Sequence, residues 1–340
     1  MRPARLSIVP RMHDSSLTQP LPRLDLALKP TPLEEFPRLR EAWGGPHVWV
    51  KRDDLTGFGL SGNKVRKLEF HLAAAREAGA DTVITCGAVQ SNHCRATALA
   101  CARFGFDVRL ILRTLDGRKP DRAVANLLIN SLAGASIRYI SVDEWDQRDE
   151  IMAEEAADLA AAGRTAWVIP QGASDRLGMW GMNLGFRELI DQIPQEIGSD
   201  VAEIWHTGSS GGTTSGFGWA ADRTGFSTPI VALCISEPAE SLVARVTRIW
   251  RSGVKAFGGE MPAPPLEYLD RYLTGGYGQV TDELVETQAE ATRLTGLLFD
   301  PIYTGKTVYG LRKEIAAGRF ADDDHVVFWH TGGGFGALVG

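Results

Sequence analysis

From about residue 64 the chain alternates apolar residues at helical spacing with short continuous apolar runs, and Gly, Asn, Asp or Ser marks the joins. That alternation predicts βα units of a mainly parallel sheet. Val65, Leu68, Leu72 and Ala75 recur at helical spacing and the segment stops at Gly79. A helix of about four turns is expected there, with Lys64 at its entrance. Next, DTVITCGAVQSNHCRATALACARFG predicts a strand over 82–86, a glycine-containing turn and a helix from near Asn92, with Ser91 and Asn92 at its mouth. Strands are expected near 108–112, 136–142 and 166–170, buried on both faces, with helices around 121–133 and 148–162. A second set follows: strands in VAEIWHTG, PIVALCIS and HVVFWHTGGG, and a helix in FGWAADR. Two sheets accommodate these better than one. The expected fold class is α/β, with two open, mainly parallel twisted-sheet domains and the ligand in the cleft between them. No linker or repeat separates the domains; 1–67 and 182–340 are expected to form the large one and 68–181 the small one.

Composition narrows the function. A chain of 340 residues is long enough for two domains and a core that needs no disulfides, and it has no charge-free run of the ~18 residues that a membrane span requires. Its formal charge of −6 would repel a phosphate backbone, so neither nucleic acid nor membrane is the expected partner. A small molecule is. Cys86, Cys94, Cys101 and Cys234 show no C-x-x-C spacing and read as reduced thiols in a cytoplasm, and the seven histidines lack metal-binding spacing, so no metal site is expected. The N-terminal MRPARLSIVPRMHDSS carries three arginines before Asp14 without an apolar core, which suits a loose surface arm better than a secretory signal.

Three glycine-rich turns are candidates for binding an anion at a helix start. In TGFGLSGNKVRKLE, Gly57, Gly59 and Gly62 have the dinucleotide-binding spacing, but the polar KRDDLT precedes them where that fingerprint needs a strand, and Asn63 between Gly62 and Lys64 spoils a P-loop. In WHTGSSGGTTSG, Thr207, Gly208, Ser209, Ser210, Gly211, Gly212 and Thr213 lie between a strand and a helix. Small residues let backbone N–H groups approach an anion, hydroxyls add donors, and no lysine is present to grip a triphosphate, so a monophosphate fits; a tight βα turn without ligand is the alternative. In CGAVQSNHCR, Ser91 and Asn92 either bind a carboxylate or phenolic oxygen or simply cap the helix.

Taken together, KRDDLTGFGLSGNKVRKLE, GAVQSNHCRATA, HTGSSGGTTSG, DPIYTGK and HTGGG resemble, in order and spacing, the pyridoxal-phosphate family of D-cysteine desulfhydrase and 1-aminocyclopropane-1-carboxylate deaminase, which has the fold-type II, tryptophan-synthase-β-like architecture. The likeness runs from about residue 20 to the C-terminus. It implies pyridoxal 5'-phosphate as cofactor, a small amino acid as substrate, and a homodimer. By the resemblance, Lys64 is the lysine that forms the Schiff base and Lys67 a phosphate contact; a neighbouring cation and a helix N-terminus would lower the Lys64 pKa in the needed direction. Asn92 is similar to the residue facing the ring oxygen, and Ser91 to the one that touches the substrate carboxylate and moves protons. The 207–213 turn resembles the phosphate loop but is one residue longer than the T-G-S-G-G-T form, which leaves open the hydroxyl that meets the phosphate. Tyr303 resembles the substrate-side tyrosine, with either Lys64 or Tyr303 expected to remove the substrate's α-proton, and Tyr277 resembles a second one nearby; a packed core ring is the alternative for each. His93 either contacts a leaving group or stacks within its loop.

Thr304 and Thr331 stand where the cyclopropane deaminases carry Glu and Leu, as in the D-cysteine desulfhydrases. A threonine beside the pyridine nitrogen leaves a shallower electron sink than a carboxylate, which suffices for β-elimination but disfavours opening a cyclopropane. The expected activity is conversion of D-cysteine to pyruvate, hydrogen sulfide and ammonia, with L-cysteate or another β-substituted amino acid as the nearest rival and the cyclopropane substrate next. Ser61, where the family usually has glycine, and Phe335, where proline is common, are departures that reshape the pocket. A protein that holds the cofactor without turnover, or a nicotinamide enzyme using Gly57, Gly59 and Gly62, are the readings from other classes.

Overall fold

Apolar runs from both ends of the chain meet in one sheet. In the computed structural model, which describes residues 21–338, β1 (Leu33–Glu35), α1 (Pro37–Trp43) and β2 (His47–Arg52) precede α2 (Lys64–Glu77). The middle of the chain supplies β3 (Thr82–Ala88), α3 (Asn92–Phe104), β4 (Asp107–Arg113), α4 (Ala125–Leu132), β5 (Ser136–Ile140), α5 (Arg148–Ala161), β6 (Ala166–Val168) and α6 (Arg176–Gln192). Then come β7 (Glu203–Gly208), α7 (Gly212–Thr224), β8 (Ile230–Cys234), α8 (Ala239–Phe257), β9 (Leu266–Leu269), α9 (Asp282–Thr295), α10 (Thr304–Ala316) and β10 (His325–His330). One sheet has the order β1-β2-β10-β7-β8-β9 and is parallel apart from the β1–β2 pair; the other, β5-β4-β3-β6, is parallel throughout. The fold is α/β with two mainly parallel sheets. The N-terminal arm expected on residues 1–16 lies outside the described residues.

Several expectations need correction. Burial on both faces describes β3, but β5 and β6 are the outer strands of their sheet: β5 exposes alternate residues, and β6 is half-buried and ends on the exposed Val168. The helix expected over 121–133 begins only at Ala125, because Val124 is extended. The helix read in FGWAADR starts five residues earlier, at Gly212, so the second half of the glycine-rich turn is the first turn of α7. The β1–α1–β2 segment lies ahead of the legible alternation and is too short to show a period of its own.

α2 is buried on nearly every side, polar residues included. Buried charges must be paired. Arg66 meets Asp53 at 2.8 Å and Glu188 at 2.9 Å, Glu69 accepts from Lys29 and from the Leu26 and Ala27 N–H groups, and His71 Nε2 lies 3.1 Å from Asp175. Removing one member of such a pair typically costs about 3–5 kcal/mol. The network therefore fixes α2, and with it the position of Lys64, against both α6 and the segment before β2.

Candidate active site

A cavity of about 250 Å³ opens beyond the carboxyl ends of β3 and β4 in one sheet and of β7, β8 and β10 in the other. Lys64, the first residue of α2, lines it. The side chain keeps some surface open to the cavity, yet desolvation lowers its pKa to about 8. Burial is thus the cause of the shift, where a neighbouring cation was expected. Lys67, one turn on, is buried outright and shifted well below the ordinary lysine range by the same desolvation and then by Lys64. It does not line the cavity: its amine donates to the Gly172 carbonyl at 3.2 Å, one layer beneath the glycine-rich turn.

That turn is a cradle. Gly211 has φ 90°, in the left-handed region, and immediately precedes α7; a Cβ on Gly212 would stand 2.7 Å from both Lys67 Nζ and Ser174 Oγ. Ser174 Oγ accepts the Gly212 N–H at 3.3 Å and bonds Ser210 Oγ at 2.7 Å, so the QGASD segment braces the loop from the other sheet's side. Thr207, Ser209, Ser210, Gly211 and Thr213 line the cavity. Gly208 and Gly212 do not; they are the close-packed floor. The Thr207 hydroxyl is committed to Thr307 at 2.7 Å, and Thr213 accepts from the Asn63 amide at 2.9 Å. Thr214, which sequence reasoning missed, also lines the cavity, and its buried hydroxyl has no hydrogen-bond partner among the described residues.

Ser91, Asn92 and His93 bring the β3–α3 turn to the same cavity. Ser91 caps α3, its Oγ accepting the Cys94 N–H at 3.2 Å. Asn92 accepts from the Asn126 amide at 3.0 Å. His93 Nε2 bonds Thr85 at 2.8 Å, and burial, with Lys64 and Lys67 nearby, keeps its ring neutral. Opposite, the Tyr277 and Tyr303 hydroxyls are 3.0 Å apart and both rings line the cavity. Desolvation and the Tyr277 hydroxyl drive the Tyr303 phenol well above its ordinary pKa, so it stays protonated at neutral pH.

Thr331 lines the cavity as well, but Thr304 does not. The Thr304 hydroxyl donates to Asp300 at 2.9 Å, and that carboxylate also accepts the N–H groups of Ile302, Tyr303 and Thr304. The Thr304 hydroxyl, expected at the cofactor ring, is here engaged with Asp300 at the start of α10, accepting the Asp300 N–H at 3.0 Å as well. Arg113 and Trp145 from the smaller sheet's side, and Arg245 with its exposed partner Glu237, also line the cavity without having been foreseen. They carry no motif, since each stands alone in its segment. Among the described residues no cluster of three or more His, Cys, Asp or Glu side chains is placed to hold a metal ion, and no helix is long and apolar enough to cross a membrane.

A sequence pattern of the family described as "Pyridoxal-phosphate dependent enzyme" matches residues 24–332. The chain belongs to that family. It is 37% identical over 319 residues to a putative 1-aminocyclopropane-1-carboxylate deaminase of Thermotoga maritima, covering 93% of this chain and 98% of the relative. It is 32% identical over 317 residues to a D-cysteine desulfhydrase of Yersinia enterocolitica, covering 92% and 94%. The crystal structure of an ACC deaminase homologue superimposes with a TM-score of 0.85 at 31% identity, covering 96% of this chain and 97% of the other. The protein is therefore a pyridoxal-phosphate-dependent enzyme of the deaminase and desulfhydrase family.

The residues present fit that cofactor. The unpartnered Thr214 hydroxyl and the N–H groups of the α7 first turn suit a phosphate, and the Gly212 floor leaves the space an added Cβ would fill. Ser174→Ala removes the brace under the loop and is expected to weaken cofactor affinity roughly three- to ten-fold, the worth of one hydrogen bond, in a fluorescence titration of cofactor-free protein.

Proposed function

We propose that the protein is a β-eliminating lyase whose substrate is D-cysteine. The observation that carries this reading is the chemistry at the cavity wall: Thr331 lines it, Thr304 is tied to Asp300, and the lining acids, Asp146 and Glu237, are exposed residues. No buried carboxylate among the described lining residues is placed to hold a pyridine nitrogen protonated, which disfavours opening of a cyclopropane ring.

Pyridoxal phosphate, held by Lys64 and the 207–214 turn, supplies a sink for the electron pair left when the substrate's α-proton departs. Lys64 Nζ, with its pKa near 8, is the group suited to take that proton. The C–S bond then breaks with its electron pair on sulfur, and Tyr303 Oη, kept protonated by its surroundings, donates the proton that makes the thiol a leaving group. Water hydrolyses the unsaturated amine to pyruvate and ammonia. Ser91 and the N–H groups at the start of α3 receive the substrate carboxylate, and Asn92 orients the ring. A homodimer, as the family resemblance implies, and a cytoplasmic location accompany this reading; the four buried free cysteines suit a reducing compartment, and sedimentation and fractionation check the two points. The test of function is a substrate panel: sulfide from D-cysteine is expected, and release of 2-oxobutyrate from 1-aminocyclopropane-1-carboxylate with no sulfide from D-cysteine would overturn the reading.

Arg113 favours a second reading, elimination from an amino acid with an anionic β-substituent such as L-cysteate. Its guanidinium carbon lies 4.8 Å from the Trp145 ring centre and 5.2 Å from that of Tyr277, and it has no carboxylate partner among the described residues. Stacking leaves the in-plane donors free for an anion. On this reading Arg113→Leu lowers kcat/KM for cysteate about ten- to a hundred-fold, the worth of a charge-assisted hydrogen bond, and leaves D-cysteine turnover unchanged. An equal fall for both substrates would remove Arg113 from the leaving-group end.

A further inference from the structure

One residue of the DPIYTGK motif plays no part in the chemistry above. Lys306 stands three residues after Tyr303 on α10, is fully buried, and donates to three backbone carbonyls: Ile235 at 2.9 Å, Leu273 at 2.8 Å and Gly276 at 2.6 Å. No carboxylate shares this cage among the described residues. A buried ammonium is ordinarily neutralised by an acid. Here it sits as an ion sits in a ring of carbonyl dipoles, the arrangement that backbone oxygens offer a monovalent cation. Burial draws its pKa to about 8, so it remains charged at neutral pH.

The cage is built by unusual backbone. Thr274, Gly275, Gly276 and Gly278 all have φ in the left-handed region, at 53°, 89°, 112° and 76°, which turns the Leu273 and Gly276 carbonyls toward one point. The Leu273 carbonyl also accepts the Gly276 N–H at 3.1 Å and the Gly276 carbonyl the Gln279 N–H at 3.3 Å, so the ammonium takes the second acceptor site of each and holds the turn closed on itself. The third corner, Ile235, follows β8 directly and is tied by its N–H to the Gly208 carbonyl. Tyr277 is the next residue after Gly276, and its hydroxyl meets Tyr303 at 3.0 Å. One ammonium thus joins the end of β8, the loop that carries Tyr277 and the helix that follows Tyr303.

We propose that Lys306 is a positioning residue that acts as a built-in monovalent cation: held by three carbonyls, its ammonium sets the Tyr277 loop so that Tyr277 meets Tyr303. The proposal rests on Tyr303 working in the reaction, but the cage itself is testable without turnover.

The test compares wild-type, Lys306→Met and Lys306→Ala holoenzymes in choline, ammonium and potassium chloride. Wild type is expected to show the same turnover and melting temperature in all three. Lys306→Met keeps the stem and loses the charge; kcat falls on the order of ten- to a hundred-fold with KM within about threefold, as for a misplaced catalytic group. In Lys306→Ala, ammonium or potassium enters the vacated cage, raising the melting temperature and restoring turnover several-fold, while choline does neither. Tyr277→Phe added to Lys306→Met lowers kcat no further than the worse single change, because both act through one contact. A Lys306→Met enzyme within twofold of wild type, additive losses in the double variant, or Lys306→Ala that melts identically in all three salts would each overturn the proposal. If neither variant folds, wild type decides: indifference to the salts sustains the proposal, and a requirement for potassium or ammonium overturns it. Loss of the melting response refutes the cage whatever the substrate, whereas a failed substrate panel with the melting response intact counts against the proposed reaction and leaves the cage standing.

Discussion

Lys64→Ala is expected to lower turnover by about a thousand-fold or more while leaving the melting temperature of the cofactor-free protein close to wild type. The large loss follows from asking one amine both to hold the cofactor and to move the substrate proton; proton transfer alone is worth about 10²–10⁴. The small structural effect follows from the surroundings: Lys64 itself has no carboxylate partner among the described residues, and α2 is held by the Arg66, Glu69 and His71 pairs. A pH dependence comes with the prediction. Only the neutral amine attacks an aldehyde, and burial places the Lys64 pKa near 8, so cofactor uptake by the stripped protein accelerates as pH rises toward 8 and levels off above it. Stopped-flow absorbance checks the profile; a rate that keeps climbing to pH 10 would mean that the amine is solvated as on a surface.

Tyr303→Phe carries the second large effect, a fall in kcat of about 10²–10⁴ with KM little changed. Its phenol is raised by burial and by the Tyr277 hydroxyl, which suits a proton donor and not a base at neutral pH. Loss of the donor therefore slows departure of the thiol. It should matter less for a substrate whose β-substituent leaves readily without a proton, such as β-chloro-D-alanine, and that difference separates an acid from a merely packed ring. Tyr277→Phe, which removes only the 3.0 Å bond to Tyr303, is expected to cost about ten-fold. Equal losses for D-cysteine and the chloro substrate in Tyr303→Phe would contradict the assignment.

The parts of this fold and site that are legible in the sequence are those written in one contiguous stretch. The helix from Lys64, the strand and helix around Ser91 and Asn92, and the glycine-rich turn at 207–213 each carry local punctuation that periodicity and turn chemistry disclose. The resemblance then joins motifs that no local pattern connects. What stays hidden depends on side chains arriving from distant segments. Ser174 braces a loop some forty residues later in the chain, Arg113 stacks between rings of two other segments, and Thr214 shows only a threonine in a helix. Thr304 illustrates the converse: the motif places it beside Tyr303, but the needs of the α10 N-terminus and of Asp300 decide where its hydroxyl points. Burial of Lys64 is likewise a property of the assembled cleft, and a lone sequence shows only its neighbour Lys67.

The most direct test of the account is reduction of the purified holoenzyme with borohydride followed by peptide mass mapping. A single pyridoxyl group is expected, on the peptide that contains Lys64, with the absorbance near ~420 nm bleached. Labelling of Lys67 or Lys306 in its place, or no covalent label at all, would contradict it.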